Sequence, residues 1–241
     1  SIQLFGGGGR VLPFQNDDDR PLDLPLLKVY AYGDSDGVFN QEDAIYFYSS
    51  GVDSWSWSSS SERWQHELNP WSDSAYYFLR IDGPQNLLGS RIENAIDVSL
   101  PVLDELDSHL AKEFHEIESY NIAKSGREFY GEHFTSLGSQ IYGFAFNMPN
   151  LIGDSGWVDS RIAGRTLGAT SNYLMECNGE EVSTSDISLS ESSLLLAQKR
   201  NLSINVPMSG DGVNVEMSFE PGNEDAEGWI DYVRVQAMQE L

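Results

Sequence analysis

Val213-Asn214-Val215-Glu216-Met217-Ser218-Phe219 alternates apolar and polar residues without a slip. A period of two is the mark of a β-strand with one face in a core and the other in water. Downstream, Trp229–Ala237 repeats the pattern with some slippage, as Ile230, Tyr232 with Val233, and Val235 alternate across Asp231 and Arg234. Upstream, short runs rich in β-branched and aromatic residues read as further strands: Ile141–Asn147, Val158–Gly164, Ser171–Cys177, Leu194–Gln198 and Leu202–Pro207. Asn178-Gly179 carries the signal of a type I′ hairpin, and Ser209-Gly210-Asp211-Gly212 reads as another tight turn. About eight short strands over about 115 residues suit a β-sandwich of the jelly-roll kind.

The front of the chain is also β in character. Ile2–Phe5, Val11–Phe14, Leu27–Tyr32, Ala44–Tyr48 and Ala75–Ile81 read as strands, with a glycine turn at Gly6–Gly9. The Ser- and Trp-rich stretch Gly51–Asn69 has no helical period. Between the halves, Leu103, Leu106, Leu110, Phe114 and Ile117 recur at spacings of three and four. That spacing predicts an amphipathic helix over about Leu100–Asn121, opened by Ser99 and Pro101 and closed before Gly126. Asp104, Glu105, Asp107, Glu113 and Glu116 would coat its solvent side. The expected organisation is mainly β, in three parts: an N-terminal β domain over 1–98, a helical connector over 99–126, and a jelly-roll-like β-sandwich over 127–241.

Charge and composition narrow the function. Among 241 residues, 14 Lys and Arg face 38 Asp and Glu, a formal charge of −24. Such a polyanion is repelled by nucleic-acid phosphates and by anionic membrane surfaces. No run approaches the ~20 apolar residues of a membrane helix, so direct membrane insertion is not expected. Ser1 opens without a basic start and apolar run, and the expectation is that any signal peptide has been removed. A single cysteine excludes an internal disulfide framework and any cysteine-built metal cluster.

The residues offer no catalytic constellation. Cys177 sits at a strand end beside the Asn178-Gly179 turn, the setting of a small core residue. Its base would have to come from His66, His109, His115 or His133, none of which stands in a distinctive motif. There is no phosphate-binding glycine loop opening a helix. On the expected helix, His109 and His115 lie about 240° apart and cannot grip one ion, whereas His109 and Glu113 share a face.

Two local features suggest binding. In residues 32–43, Tyr-Gly-Asp-Ser-Asp-Gly-Val-Phe-Asn-Gln-Glu-Asp, placing Gly37 at the sharp turn of a calcium loop puts Asp34, Asp36, the Val38 carbonyl, Asn40 and Asp43 at ligand positions. Tyr32 occupies the first ligand place, and a simple Asx-turn accounts for the same residues. Calcium is the one cofactor the sequence raises. The second feature is Trp55 and Trp57, which alternate with serines and so share one strand face. Exposed, they would form a platform for a sugar ring; buried, they pack under a loop.

Several blocks together resemble a known family. Val29-Tyr30-Ala31-Tyr32-Gly33-Asp34-Ser35-Asp36-Gly37-Val38-Phe39-Asn40 and Ala44-Ile45-Tyr46-Phe47-Tyr48-Ser49-Ser50-Gly51 are similar to the N-terminal region of the PorU-like sortases of the Bacteroidetes type IX secretion system. His66-Glu67-Leu68-Asn69-Pro70-Trp71-Ser72-Asp73, with Tyr76-Tyr77-Phe78-Leu79, resembles the same family, as does Ser125-Gly126-Arg127-Glu128-Phe129-Tyr130-Gly131-Glu132. Gly228-Trp229-Ile230-Asp231-Tyr232-Val233-Arg234-Val235 resembles the segment before that family's gingipain-like peptidase domain.

The resemblance implies a non-catalytic structural and interaction module. Its parent would be a cell-surface, outer-membrane-associated enzyme that cleaves C-terminal sorting signals and attaches cargo to lipopolysaccharide. The catalytic His and Cys would lie beyond Leu241. The implied partners are that peptidase domain and, further out, secretion-system outer-membrane proteins or cargo sorting domains. The competing reading is an independent carbohydrate- or lipopolysaccharide-binding module, with Trp55 and Trp57 as platform and residues 34–43 as calcium brace.

Overall fold

A computed structural model describes residues 2–13, 15–33, 36–81, 91–92, 106–124, 126, 128–138 and 140–241. The chain divides into two units, Ser1–Ser56 with Gln65–Val102, and Trp57–Trp64 with Leu103–Leu241.

Six short strands occupy the front of the chain: β1 (Ile2–Phe5), β2 (Val29–Tyr32), β3 (Ala44–Phe47), β4 (Ser54–Ser58), β5 (Arg63–Glu67) and β6 (Phe78–Ile81). They pair as three two-stranded sheets, β1 with β6, β2 with β3 and β4 with β5. Leu4, Val29 and Val52 are buried, whereas Tyr30, Tyr46, Tyr48, Tyr76 and Phe78 are exposed. Tyr30 and Tyr46 stand directly opposite each other, with ring centroids 6.2 Å apart. Val11–Pro13, expected to start a strand, is irregular, and Phe14 lies outside the described residues.

The second unit contains β7 (Ser108–Glu116), β8 (His133–Phe134), β9 (Gln140–Arg165), β10 (Thr170–Cys177), β11 (Glu180–Ser188), β12 (Gln198–Glu220) and β13 (Glu227–Glu240). They hydrogen-bond in the order β11-β10-β12-β9-β13-β7, with β8 on β13. The long strands β9 and β12 run antiparallel along each other and bend where the register shifts at Val206/Met208 and Gly210/Gly212. Beyond the bend, Gln140–Asn147 pairs with β12, while Leu151–Arg165 pairs with β12 and β13.

The sheet therefore curls over itself into a sandwich. A Cβ on Gly164 of β9 would meet Ile187 of β11 at 2.9 Å, and one on Gly228 of β13 would meet Phe219 of β12 at 3.2 Å. Between the layers, Phe134, Tyr173 and Phe219 form a fully buried aromatic cluster with centroids 4.8–5.6 Å apart. Met175, Met208, Met217, Ile162 and Val235 complete the core. Val213, Val215, Met217 and Phe219 all point inward, as their alternation requires. Asn178 and Gly179 both have positive φ, 52° and 83°, the backbone a type I′ hairpin demands.

The expected connecting helix is corrected, because 108–116 is the strand β7 and the described residues contain no α-helix. Leu106, Leu110 and Phe114 are four apart, and four is an even number, so they share a strand face as readily as a helix face. The decision falls to β13, which is buried on both faces over most of its length. Its open edge would leave buried backbone N–H and C=O groups unpaired, and β7 satisfies them from Tyr232↔Glu116 to Glu240↔Ser108. Leu100–Glu105, the start of the expected helix, lies outside the described residues.

Two smaller corrections share a cause. The expected strands 141–147 and 158–164 are parts of the single strand β9. The expected turn at Ser209–Gly212 is a register irregularity inside β12, with Gly210 at φ 91°. A bulge lets a long strand bend without ending, and glycine takes the left-handed position at no steric cost. Leu194–Ala197 precedes β12 as a loop, with Leu194 97% exposed.

Candidate functional site

Asp231 sits at a bulge. Ile230 of β13 faces Ile162, and the next paired position is Tyr232 with Arg161, so Asp231 is an inserted residue. Bulges re-aim side chains, and here the side chain meets two carboxylates from the end of β7. One oxygen each from Glu116, Glu118 and Asp231 lies within 4.8 Å of the others. Arg161 Nη1 donates to Asp231 Oδ2 at 3.2 Å. Its guanidinium also lies over the Tyr232 ring, 5.4 Å from the centroid.

Three carboxyls this close resist full ionisation in a half-dry site. Burial, reinforced by the neighbouring Glu116 charge, pushes Asp231 up to about 7, although Arg161 opposes the rise. Burial and a hydrogen bond with Glu116 push Glu118 up to about 7 as well. Glu118 Oε2 is buried with no hydrogen-bond partner among the described residues. An all-oxygen donor set, converging and partly desolvated, has the chemistry hard cations such as calcium select.

A second concavity of about 300 Å³ lies on the same unit. Tyr120, His133 and Trp229 line it beside Glu227, Arg165 and Lys124. His133 stacks on Trp229 with an interplanar angle of 4°, its Nε2 is 3.2 Å from Glu227 Oε1, and Tyr120 tilts over it at 5.1 Å. One aromatic wall with a carboxylate and two cations at its rim suits a polar ring with hydroxyls.

The residues singled out by sequence stand elsewhere. Asp34 lies outside the described residues. Asp36 Oδ1 accepts from Val38 N at 2.9 Å, Asn40 Oδ1 from Glu42 N at 3.1 Å, and Asp43 Oδ2 from Asn40 N at 2.7 Å. These oxygens cap local backbone amides, the Asx-turn reading of the loop. Val38 is exposed.

Trp55 and Trp57 both lie on β4. Trp55 is half-buried with His66 5.5 Å away, and Trp57 is 50% exposed, edge-on to Trp64 at 5.6 Å. Cys177 is buried and burial raises its thiol, the opposite of what a nucleophile needs. On a strand, His109 and Glu113 are about 13 Å apart, so they form no pair.

Glu116, Glu118 and Asp231 went unnoticed in the sequence as a group. The helix reading assigned Glu116 to a solvated face, and Asp231 joins it only through β7–β13 pairing. The alternation Glu116-x-Glu118 at a strand end was the available signal.

No protein-family model matches the chain, and no curated protein matches it significantly. Two carbohydrate-binding modules align with about half of it: the CBM36-1 domain of a multidomain xylanase from the hindgut metagenome of Trinervitermes trinervoides, and a family 35 module from an environmental isolate. They cover 53% and 54% of this chain and 95% and 89% of their own, at 11% and 12% identity and TM-scores of 0.33 and 0.36. Likenesses this loose carry no argument. Dimeric latent PorU from Porphyromonas gingivalis aligns over 100% of this chain at a TM-score of 0.74 and 24% identity. This chain has the fold of a segment spanning 22% of that PorU chain.

Proposed function

We propose that the chain is a non-catalytic structural and interaction module of a PorU-like, cell-surface type IX secretion sortase, with the cysteine peptidase domain elsewhere in the parent protein. The single observation that supports this most is the fold similarity of this whole chain to a segment of PorU. The buried, proton-holding thiol of Cys177 agrees with a supporting rather than a chemical role. Its partners are the parent's peptidase domain and, beyond it, outer-membrane secretion proteins or cargo sorting domains; its place is extracytoplasmic. Thermal unfolding of the chain with a separately produced PorU-type peptidase domain tests the reading, since only binding to the native state raises the midpoint. A rise supports it, and an unchanged midpoint at saturating peptidase overturns it.

Glu116, Glu118 and Asp231 serve in this reading as a calcium brace, tying the end of β7 to the bulge of β13. The cluster is preferred to residues 34–43 because Asp36, Asn40 and Asp43 already spend side-chain oxygens on backbone amides. Calcium there supplies charge neutralisation and cross-strand rigidity, not chemistry.

The second reading, a carbohydrate- or lipopolysaccharide-binding module, is favoured by the Tyr120/His133/Trp229 concavity. Sugar binding that disappears on Tyr120→Ala but survives Trp55→Ala with Trp57→Ala would place the platform there.

A further inference from the structure

Among the described residues the sandwich leaves one side open. Residues 141–147 of β9 pair with β12 on one flank, and among the described residues no strand covers the other. Facing them across the opening is β7, which pairs with β13 among the described strands. Between these two edges runs a cavity of about 550 Å³, lined by Tyr142–Asn147 of β9 with Glu113, Phe114, His115 and Glu132. Six consecutive residues of one strand, from both of its faces, line it. A groove following a backbone edge has that signature, whereas a pocket under a single face would show every second residue.

The groove contains an unspent acceptor. Glu132 is only 10% exposed at its side chain, and its Oε1 meets His115 Nε2 at 2.7 Å. Its Oε2 is buried and finds no hydrogen-bond partner among the described residues. Orphaned buried carboxylate oxygens are uncommon in native proteins and call for an explanation. Glu113 adds a second carboxylate at the rim, and the chain carries −24 overall. The floor is apolar: Phe144 and Phe146 are buried, and the His115 ring sits 4.8 Å from that of Phe144. Nothing crowds the edge at Gly143, where an added Cβ would meet no atom within 4 Å.

We propose that this groove binds an extended, basic peptide segment by strand addition to residues 141–147, with a Lys or Arg side chain of the segment reaching Glu132. The open edge supplies main-chain donors and acceptors, which give affinity without sequence preference. The buried carboxylate supplies selection, because a cation there gains a partner in a dry setting while an acidic side chain is repelled. The proposal rests on this unit's geometry alone and requires no peptidase, so its failure and that of the sortase-module reading are separate results.

The test uses a short capped peptide of alternating Thr and Val with a central Lys, and the same peptide with a central Glu. Binding is followed by fluorescence anisotropy and backbone hydrogen exchange. The Lys peptide is expected to bind, to slow amide exchange within 141–147, and to bind at least about tenfold more tightly than the Glu peptide. Glu132→Gln should erase that preference. Ala145→Lys, a charge on an exposed edge position, should block both peptides while leaving the thermal midpoint within a few degrees. Equal affinity for the two peptides, protection that maps elsewhere, or free lysine amide binding as tightly as the peptide would each overturn the proposal.

Discussion

Asp159 of β9 and Arg234 of β13 face each other in register, and the Arg234 guanidinium donates to Asp159 Oδ2 at 3.1 Å with both side chains no more than 7% exposed. The other carboxylate oxygen accepts from Arg63 Nη1 at 2.5 Å and from the Ser203 hydroxyl at 2.7 Å. Arg63 reaches it from the 57–64 hairpin tip, its guanidinium 4.2 Å above the Trp157 ring. The backbone of the adjacent Trp64 exchanges two hydrogen bonds with the Gln236 amide. One carboxylate thus bridges two guanidinium groups inside the second unit.

Removing Asp159 leaves both cations without their shared counter-charge. Asp159→Ala should destabilise the unit by about 3–5 kcal/mol, the usual cost of breaking a buried ion pair from one side. Arg63→Ala should cost less, because Arg234 still balances the carboxylate. Urea denaturation of both variants checks the order, and an Asp159→Ala protein as stable as the parent would refute the account.

The three-carboxyl cluster makes stability depend on pH in a direction opposite to that of an ordinary salt bridge. Asp231 and Glu118 hold protons up to about 7 when folded, against ordinary values near 4. Between those limits the native state binds more protons than the unfolded chain, so raising the pH costs stability. The contribution is complete below about 4 and lost as pH climbs through about 7. In EDTA, unfolding at pH 5 and pH 8 should differ by on the order of 2 kcal/mol from this cluster, since each pKa unit carries about 1.4 kcal/mol and solvent screens the part-exposed Glu118. Asp231→Asn should flatten the dependence.

If calcium occupies the cluster, adding it at pH 8 should restore what ionisation removes. A concentration about a hundredfold above Kd stabilises by about 2.7 kcal/mol. Differential scanning calorimetry should show the increment in the parent and in Asp36→Asn with Asp43→Asn, but not in Glu118→Gln. A rise lost in the loop variant and kept in Glu118→Gln would move the ion to residues 34–43.

Phe134 has no exposed surface and touches the rings of Tyr142, Tyr173 and Phe219. Phe134→Ala opens a cavity between the two layers and should cost about 3–5 kcal/mol. Chemical denaturation gives the number directly.

Strand identity was legible where local sequence and burial agree. Val213–Phe219 alternates because every second residue enters the core, and Asn178-Gly179 tolerates the positive φ its turn requires. Leu110 and Phe114 misled because their spacing fits two periodicities, and the choice between them belonged to β13, over a hundred positions away. Glu118 and Asp231 are as distant in sequence, and no local pattern connects them. Residues 140–165 read as two strands because a bulged strand shows its irregularity as a turn.

The sequence by itself determined that this is an acidic, mainly β chain with a sandwich in its second half, because period-two alternation and turn chemistry act between neighbours. Only the tertiary structure decided that β7 is a strand, that three carboxyls meet at a bulge, and that among the described strands the outer flank of 141–147 stays unpaired beside Glu132. Those features depend on which edges need backbone partners and which charges lose their water. Both are settled when distant segments pack.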